Sequence, residues 1–170
     1  YSLSPYTLEE VISRNYLLDT KLDGILNLVD GSNIERNLYL TTQLMEMGMP
    51  VTIAINMMDI VRKNGDKIDT AELSKALGCS IVEASALNGE GTKEAAAKAA
   101  DNAGKAAPKP IEFPIEVEEA LTKIHRLMGN RVAGTSQRWL LVKLFERDQE
   151  VYKTLKVSEA EQKALDDIIT

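Results

Sequence analysis

Three short apolar segments, separated by longer segments of helical character, define the pattern of hydrophobic and polar positions. The apolar segments are residues 24–30, 50–56 and 80–85. The first two are almost continuously apolar, which is typical of parallel strands covered on both faces, whereas Glu83 interrupts the third. Strand alternating with helix predicts an α/β fold with a parallel sheet and right-handed crossovers.

The segments between the strands carry the signals that begin and end helices. Ser32 and Glu35 have the spacing of a capping box, and Gly48 predicts the end of the same helix. The same signals predict helices over residues 69–78 and 7–18. We expect the helix after the first strand to face the core.

The pattern changes after the third strand. Residues 93–107 are rich in Ala and Lys, which predicts a helix that buries little apolar surface. The Pro-Lys-Pro sequence at 108–110 ends any helix, so we expect a domain boundary there. Beyond it the apolar stripes predict a small all-helical bundle with Trp139 in its core. We therefore divide the chain into residues 1–107 and 111–170.

Composition narrows the classes of function. The chain has 170 residues, a formal net charge of −6 and a single cysteine, Cys79. An acidic chain is a poor partner for nucleic acid, and one cysteine suits a reducing compartment. No apolar run reaches the length of a membrane-spanning helix. The chain begins at Tyr1 without an initiator Met, so we expect it to be a fragment of a longer protein.

Polar residues at the end of the second strand are the first candidates for a ligand site. Asn56 ends the strand and Asp59 follows three residues later. Ligands of open α/β sheets bind beyond the carboxyl ends of the strands. A carboxylate there can accept both N–H groups on one edge of guanine, a donor pair that adenine does not present. Asn-x-x-Asp also occurs by chance, and Asp59 can instead cap a helix.

The third strand ends in a second polar loop. Ser85, Ala86 and Leu87 are followed by the tight sequence Asn-Gly-Glu-Gly at 88–91. We expect the backbone amide of Ala86 to donate to the guanine carbonyl oxygen, because small residues allow the backbone to approach a ring. The ordered combination of both loops is far more specific than either loop alone.

Other residues with chemical potential have simpler structural explanations. We expect His125 on a helix surface and Cys79 buried at the start of a strand. We expect five methionines to pack in the core: Met45, Met47, Met49, Met57 and Met58. Three glutamates lie at a helix start, where the helix dipole explains them: Glu116, Glu118 and Glu119. No metal site and no catalytic residue is therefore predicted.

The ordered motifs resemble the guanine-recognition half of a GTPase. More narrowly, residues 1–6, 29–40 and 54–59 resemble the cytosolic region of the bacterial ferrous iron transport protein FeoB family. The segment from Pro114 onwards is similar to the helical domain that follows the GTPase domain in that family. The resemblance covers nearly the whole chain.

The resemblance implies a fold, a ligand and site residues. The fold would be a partial P-loop GTPase-type parallel sheet with flanking helices, followed by a small all-helical domain. The ligand would be GTP or GDP, with Mg²⁺ bound only in a complete domain. Residues 1–6 would belong to the second switch segment. The residues implied to contact the base are Asn56, Met57, Asp59, Ser85, Ala86 and Leu87.

The resemblance also implies a cellular role. Residues 1–107 would be the C-terminal part of a GTPase domain, and residues 111–170 a helical domain that slows nucleotide release. The region would lie at the cytoplasmic face of the bacterial inner membrane and regulate Fe(II) uptake. Its partner would be a membrane-embedded iron-transport domain of the same polypeptide, not nucleic acid. Homo-oligomerisation remains open.

Two motifs of the family are missing from this sequence. The phosphate-binding loop G-x-x-x-x-G-K-[ST] is not present, and the strand-end Asp-x-x-Gly that would directly precede Tyr1 lies outside the sequence. Residues 129–136 have the glycine spacing but carry Thr135 in place of Lys, so we predict a turn between helices. We expect the chain alone to bind GTP very weakly and not to hydrolyse it.

A half-sheet should also expose an apolar edge, which upstream residues or another chain would cover. The alternative hypothesis is a GTPase-derived interaction module, or scaffold, that no longer uses nucleotide. A ribosome-associated or tRNA-modifying GTPase shares the base-reading motifs, but the acidic charge and residues 30–40 argue against it.

Overall fold

The computed structural model describes residues 8–170, with side chains from residue 10 onwards. The switch assignment of residues 1–6 lies outside the described residues. The chain forms two compact units. The first comprises the described residues up to Met45 together with residues 49–110, and the second comprises residues 46–48 and 111–170.

Within the described residues, the first unit is a three-stranded sheet with helices before, between and after its strands. The elements are α1 (Leu8–Asp19), β1 (Ile25–Asp30), α2 (Ile34–Glu46), β2 (Val51–Asn56), α3 (Met58–Lys63), α4 (Thr70–Leu77), β3 (Ser80–Glu83) and α5 (Thr92–Asn102). The three strands match the three predicted apolar segments.

The sheet is parallel throughout, in the order β1-β2-β3. Asp30 pairs with Asn56 at the carboxyl ends of β1 and β2, and Ile55 pairs with Glu83 between β2 and β3. The loops that follow all three strands therefore leave the same edge of the sheet. The predicted parallel α/β arrangement is confirmed.

The central strand β2 is buried from Val51 to Ile55, and α5 packs against it. Ala54, Val82 and Ala95 form a buried cluster between the sheet and α5. This explains why an Ala-rich helix suffices on that face: small side chains allow close approach. The amide nitrogen of Asn102 joins two strands by donating to the hydroxyls of Thr52, at 2.9 Å, and Ser80, at 3.0 Å.

The edge strand β1 is covered on only one face. On the covered face the amide of buried Asn27 donates to Thr41 of α2 at 2.7 Å. On the opposite face Leu26 and Leu28 are exposed, Leu28 by 69%. The expected apolar edge is therefore present in the described part of the sheet.

The predicted capping box at the start of α2 is wrong. Asp30 precedes a single 3-10 turn, Gly31–Asn33, and α2 begins only after it. The hydroxyl of Ser32 donates to the Asp30 carboxylate at 2.7 Å, as does the Ser32 amide at 2.9 Å. Strand-end Asp30 is the stronger acceptor, so it takes the role that the sequence pattern gave to Ser32.

The residues predicted to begin and end α4 do so in the structure. Asp69 caps α4 by accepting from the Glu72 amide at 2.9 Å, and Gly78 ends that helix with a φ of 65°. The helix predicted over residues 93–107 is shorter, because α5 ends at Asn102 and the Gly104 amide donates instead to the Asp23 carbonyl at 2.7 Å.

The second unit is helical throughout its regular structure. Its elements are α6 (Ile115–Met128), a 3-10 turn (Gly129–Val132), α7 (Gln137–Phe145), α8 (Gln149–Thr154) and α9 (Glu159–Ile169). Trp139, Ile124 and Leu165 are completely buried at its centre, as the apolar stripes predicted. Residues 129–136 form the predicted turn between helices.

A bidentate ion pair fixes the beginning of this helical unit. The guanidinium of Arg138 donates to both oxygens of Glu118 at 2.7 Å, lies 5.2 Å from the centre of the Phe113 ring and donates to the Ile111 carbonyl. Hydrogen bonding from Arg138 lowers the pKa of Glu118. Glu118 thus has a defined structural partner beyond the helix dipole.

The remaining single-residue expectations mostly hold. Cys79 is buried, and burial raises the pKa of its thiol to about 11, which makes it unreactive. His125 is exposed and contacts Gln137 at 2.7 Å. Met57 departs from the expected packing role, because it is 39% exposed; the other four methionines are buried: Met45, Met47, Met49 and Met58.

Candidate functional site

Two loops meet at the carboxyl edge of the sheet, one after β2 and one after β3. The backbone holds them together first: the Ala84 amide donates to the Ile55 carbonyl at 2.8 Å, and the Met58 amide donates to the Ala84 carbonyl at 3.1 Å. These bonds extend the β2-β3 pairing past the ends of the strands. Side chains on the two loops are therefore in reach of each other.

Two side-chain hydrogen bonds join the predicted site residues across this junction. The backbone amide of Ala86 donates to Oδ1 of Asn56 at 2.9 Å. The hydroxyl of Ser85 donates to Oδ1 of Asp59 at 2.8 Å. Ser85 itself is almost completely buried, with 1% of its surface exposed. Four of the six predicted site residues thus form one hydrogen-bonded group.

The competing interpretation of Asp59 as a helix cap does not fit this geometry. Met57 occupies the capping position of α3, with a left-handed φ of 63° and no side-chain cap hydrogen bond. Asp59 lies in the first turn, half-exposed, with its carboxylate turned to the neighbouring loop. The described residues form no hydrogen bond to its second oxygen, Oδ2.

Met57 and Leu87 lie at the surface of the two loops. Met57 is 39% exposed and Leu87 is 90% exposed. Large apolar side chains in such positions offer flat contact surfaces without hydrogen-bonding groups. Met57 lies between Asn56 and Asp59 in sequence, and Leu87 directly follows Ala86, so both are next to members of the hydrogen-bonded group.

A charged group next to the site was not predicted from the sequence. Arg62 of α3 donates to Glu83 at 2.8 Å and to Glu90 at 2.9 and 3.1 Å. The hydrogen bond to Glu83, which has the larger effect, and the hydrogen bonds to Glu90 raise the pKa of the Arg62 guanidinium. A signal existed in the sequence: Glu83 breaks an otherwise apolar strand, and a charge in that position requires a partner.

The chemistry of this group is recognition by hydrogen bonding. It provides a carboxylate acceptor, an amide side chain with both donor and acceptor atoms, a hydroxyl and a backbone amide. Among the described residues, no three His, Cys, Asp or Glu side chains are arranged to hold a metal ion.

Two cavities lie elsewhere in the first unit. One of about 460 Å³ lies where α2 begins and is lined by residues that include Ser32, Asp66 and Lys67. The other, of about 500 Å³, includes Asp30 and Arg36 in its lining. Neither cavity is lined by the predicted base-site residues, which lie on an open rim.

Comparison with known families assigns the chain. A family model described as Ferrous iron transport protein B matches residues 1–99, and one described as the FeoB cytosolic helical domain matches residues 113–170. The chain belongs to the ferrous iron transport protein B family. The resemblance of the sequence motifs to FeoB is therefore confirmed.

Curated FeoB relatives are much longer than this chain. The Fe(2+) transport protein A/Fe(2+) transporter FeoB fusion protein of Porphyromonas gingivalis is 39% identical over 159 residues, which are 89% of the chain and 19% of that relative. The Fe(2+) transporter FeoB of Escherichia coli is 34% identical over 162 residues, 94% of the chain and 20% of the relative. The chain thus spans about a fifth of their length.

Solved FeoB structures share the fold. NFeoB from S. thermophilus, bound to GDP·AlF4⁻ and K⁺, superposes with a TM-score of 0.92 at 43% identity, over 99% of this chain and 66% of that one. A point mutant of the same protein bound to GDP gives a TM-score of 0.93 at 44% identity and the same coverage. The expected GTPase-type fold with a helical domain is confirmed.

From Leu8 to the end of the chain, no helix is both long enough and apolar enough to cross a bilayer.

Proposed function

We propose that this chain recognises guanine nucleotide as part of a FeoB-type ferrous iron transporter. The observation that carries the proposal is the hydrogen-bonded junction of the loops after β2 and β3, with the Asp59 carboxylate at the rim. Family membership supports it, as do the NFeoB structures of S. thermophilus, which are bound to GDP or GDP·AlF4⁻.

In this proposal Asp59 selects the base. Its Oδ1 atom accepts from Ser85 and orients the carboxylate, which leaves Oδ2 and the remaining lone pair of Oδ1 for the two N–H groups on one edge of guanine. Adenine lacks that donor pair, so it would leave the carboxylate with Ser85 as its partner and without donors from the base. The charge on Asp59 makes both bonds stronger than neutral ones.

The remaining residues shape and close the base site. Asn56 links the two loops, and the Ala86 amide would turn from Asn56 to the guanine carbonyl oxygen or share its proton between them. Met57 and Leu87 would cover the faces of the ring, consistent with their exposure. A bound guanine would therefore weaken the hydrogen bond between Ala86 and Asn56. In its place the base would contact Asp59 after β2 and Ala86 after β3.

At the level of domains, residues 1–107 would be the C-terminal part of the GTPase domain. Residues 111–170 would be the helical domain that slows nucleotide release. The region would act at the cytoplasmic face of the bacterial inner membrane, regulating Fe(II) movement through the membrane-embedded part of the same polypeptide. Mg²⁺ would bind only where phosphate-binding residues complete the domain.

Substitution Asp59→Asn tests the proposal through base selectivity. The amide can no longer accept both guanine donors but matches xanthine, which offers one donor and one acceptor on the same edge. We expect GDP binding to weaken by about 10- to 100-fold and XDP binding to strengthen by a similar factor. Fluorescence titration with labelled GDP and XDP measures both affinities in a protein that carries the complete GTPase domain.

The control is Asp66→Asn, which removes an exposed carboxylate from the same part of the first unit. It should change neither affinity. Unchanged GDP and XDP affinities in the Asp59→Asn protein would contradict guanine recognition by this carboxylate, and the interaction-module hypothesis would then be favoured.

A further inference from the structure

Arg62 connects three segments around the proposed base site. One guanidinium nitrogen, Nη2, donates to Oε2 of Glu83 at 2.8 Å, and the other, Nη1, donates to Oε1 and Oε2 of Glu90 at 2.9 and 3.1 Å. Glu83 is the last residue of β3, and Glu90 closes the loop that contains Ser85 and Ala86. A single side chain on α3 therefore holds both ends of this loop.

The loop between these ends is closed by the backbone. Ser85 and Glu90 exchange two hydrogen bonds, from the Ser85 amide at 3.0 Å and from the Glu90 amide at 3.1 Å. This bridge fixes the loop ends to each other but not to α3. The position of the loop relative to Asp59 depends on contacts between the loop and α3, and Arg62 provides the ionic ones.

The helix that carries Arg62 is short and weakly capped. It spans six residues, and Met57 before it makes no side-chain cap hydrogen bond. Helices of this length are not stable by propensity, so tertiary contacts must hold α3 in place. Met58 and Val61 supply buried apolar contacts, the Met58 amide and Asp59 each form a hydrogen bond to the loop after β3, and Arg62 adds the ionic contacts.

We propose that Arg62 is a positioning residue for guanine binding. By bridging Glu83 and Glu90 it would hold the Ser85–Ala86 loop at the correct distance from Asp59. The planar guanidinium suits this task, since its two nitrogens reach two carboxylates at fixed angles, which an ammonium group does not. The inference rests on the proposed function, because it assumes that Asp59 and Ala86 contact the base.

The expected effect is modest because the ion pairs are exposed. The Arg62 side chain is 48% exposed, and the Glu83 and Glu90 side chains are 36% and 46% exposed. Solvent-exposed pairs change an equilibrium by up to about fivefold. Arg62 would therefore tune nucleotide affinity without being required for folding.

The experiment compares Arg62→Gln with wild type on the ¹⁵N-labelled 170-residue chain. Amide hydrogen exchange of Ala86 and Glu90 reports how readily the loop opens without nucleotide, and NMR titration with GDP reports affinity. We expect Arg62→Gln to raise both exchange rates and the GDP dissociation constant by about two- to fivefold. Glu90→Gln should give a similar change, and the double variant should be no worse than the more affected single variant.

Two further variants separate positioning from general destabilisation. Lys63→Gln removes the adjacent exposed cation and should change neither readout. Arg62→Lys retains one ionic contact and should restore part of the GDP affinity. The thermal unfolding midpoint of Arg62→Gln should stay within about 2 °C of wild type, since the pair is exposed.

The outcomes distinguish the inference from the proposed function. Unchanged loop exchange, or faster exchange with unchanged GDP affinity, would overturn the inference if Asp59→Asn in the same assay still weakens GDP binding. If Asp59→Asn leaves GDP binding unchanged, the proposed function fails, and the role of Arg62 in guanine binding fails with it.

Discussion

At the scale of single residues, Glu46 is the side chain least expected from the sequence pattern. It ends α2 and is grouped with the second unit, where only 7% of its surface is exposed. Burial raises the pKa of its carboxyl to about 7, although Arg138 and Lys143 act in the opposite direction and Glu146 adds to the rise. Burial is the larger influence because a carboxylate loses more hydration than the nearby cations replace.

The consequence is a pH dependence of stability. In the unfolded chain Glu46 releases its proton near pH 4.5, whereas the folded chain retains it to about pH 7. Since the folded state binds the extra proton, the contribution of Glu46 to the free energy of unfolding decreases as pH rises between these values. Glu46→Gln removes this decrease, so the variant should exceed wild type in stability at pH 8 by about 3 kcal/mol and match it near pH 4.5.

Urea unfolding at several pH values measures this difference. The chain has one tryptophan, Trp139, completely buried in the second unit, so its fluorescence reports unfolding of that unit. Glu116→Gln, on the exposed surface of α6, is the matched control and should change the free energy of unfolding by less than about 1 kcal/mol at every pH. A Glu46→Gln difference equally flat between pH 5 and 8 would show that burial does not control this carboxyl.

At the scale of elements, the closure of the Ser85 loop depends on two glycines with the same backbone conformation. Gly89 has a φ of 71° and Gly91 a φ of 70°. A Cβ atom added at Gly89 would meet nothing within 4 Å, whereas one added at Gly91 would overlap the carbonyl oxygen of Glu83. The two positions have the same strained backbone conformation and differ only in the room available for a Cβ atom.

This difference predicts unequal costs for alanine. Gly89→Ala should lower the free energy of unfolding by about 1 kcal/mol, the cost of a left-handed backbone for an L residue. Gly91→Ala should cost about 3 kcal/mol or more, because the loop must also move away from β3. Urea unfolding followed by far-ultraviolet circular dichroism compares the two. Equal losses would indicate that the loop moves away freely.

Elements with local causes were predicted well from the sequence. The three strands follow from apolar runs, and α4 follows from Asp69 and Gly78 at its ends. Ser158 and Glu161 have the same spacing as Ser32 and Glu35, and their capping box does form before α9. The box at Ser32 does not form, because Asp30 competes for the Ser32 hydroxyl, and Asp30 is in place only once β1 pairs with β2.

At the scale of the whole molecule, the sequence predicted which residues meet but not how they bond. Register alone brings Asn56 and Asp59 close to Ser85, since parallel strands end at one edge. The hydrogen bond from the Ala86 amide to Asn56 was not expected. The sequence predicted that this amide donates to the guanine carbonyl oxygen, whereas in the structure it donates to the Asn56 side chain. Arg62 and Glu46 were missed because both depend on packing between segments distant in sequence.

The central claim is that the edge formed by the loops after β2 and β3 reads guanine. The most direct test is titration of the ¹⁵N-labelled chain with GDP and, separately, with ADP at millimolar concentration, which detects weak binding. The claim predicts GDP-induced amide shifts concentrated in residues 56–59 and 85–88, with much smaller shifts for ADP. Equal shifts with both nucleotides, or shifts confined to the cavity near Ser32 and Lys67, would contradict it.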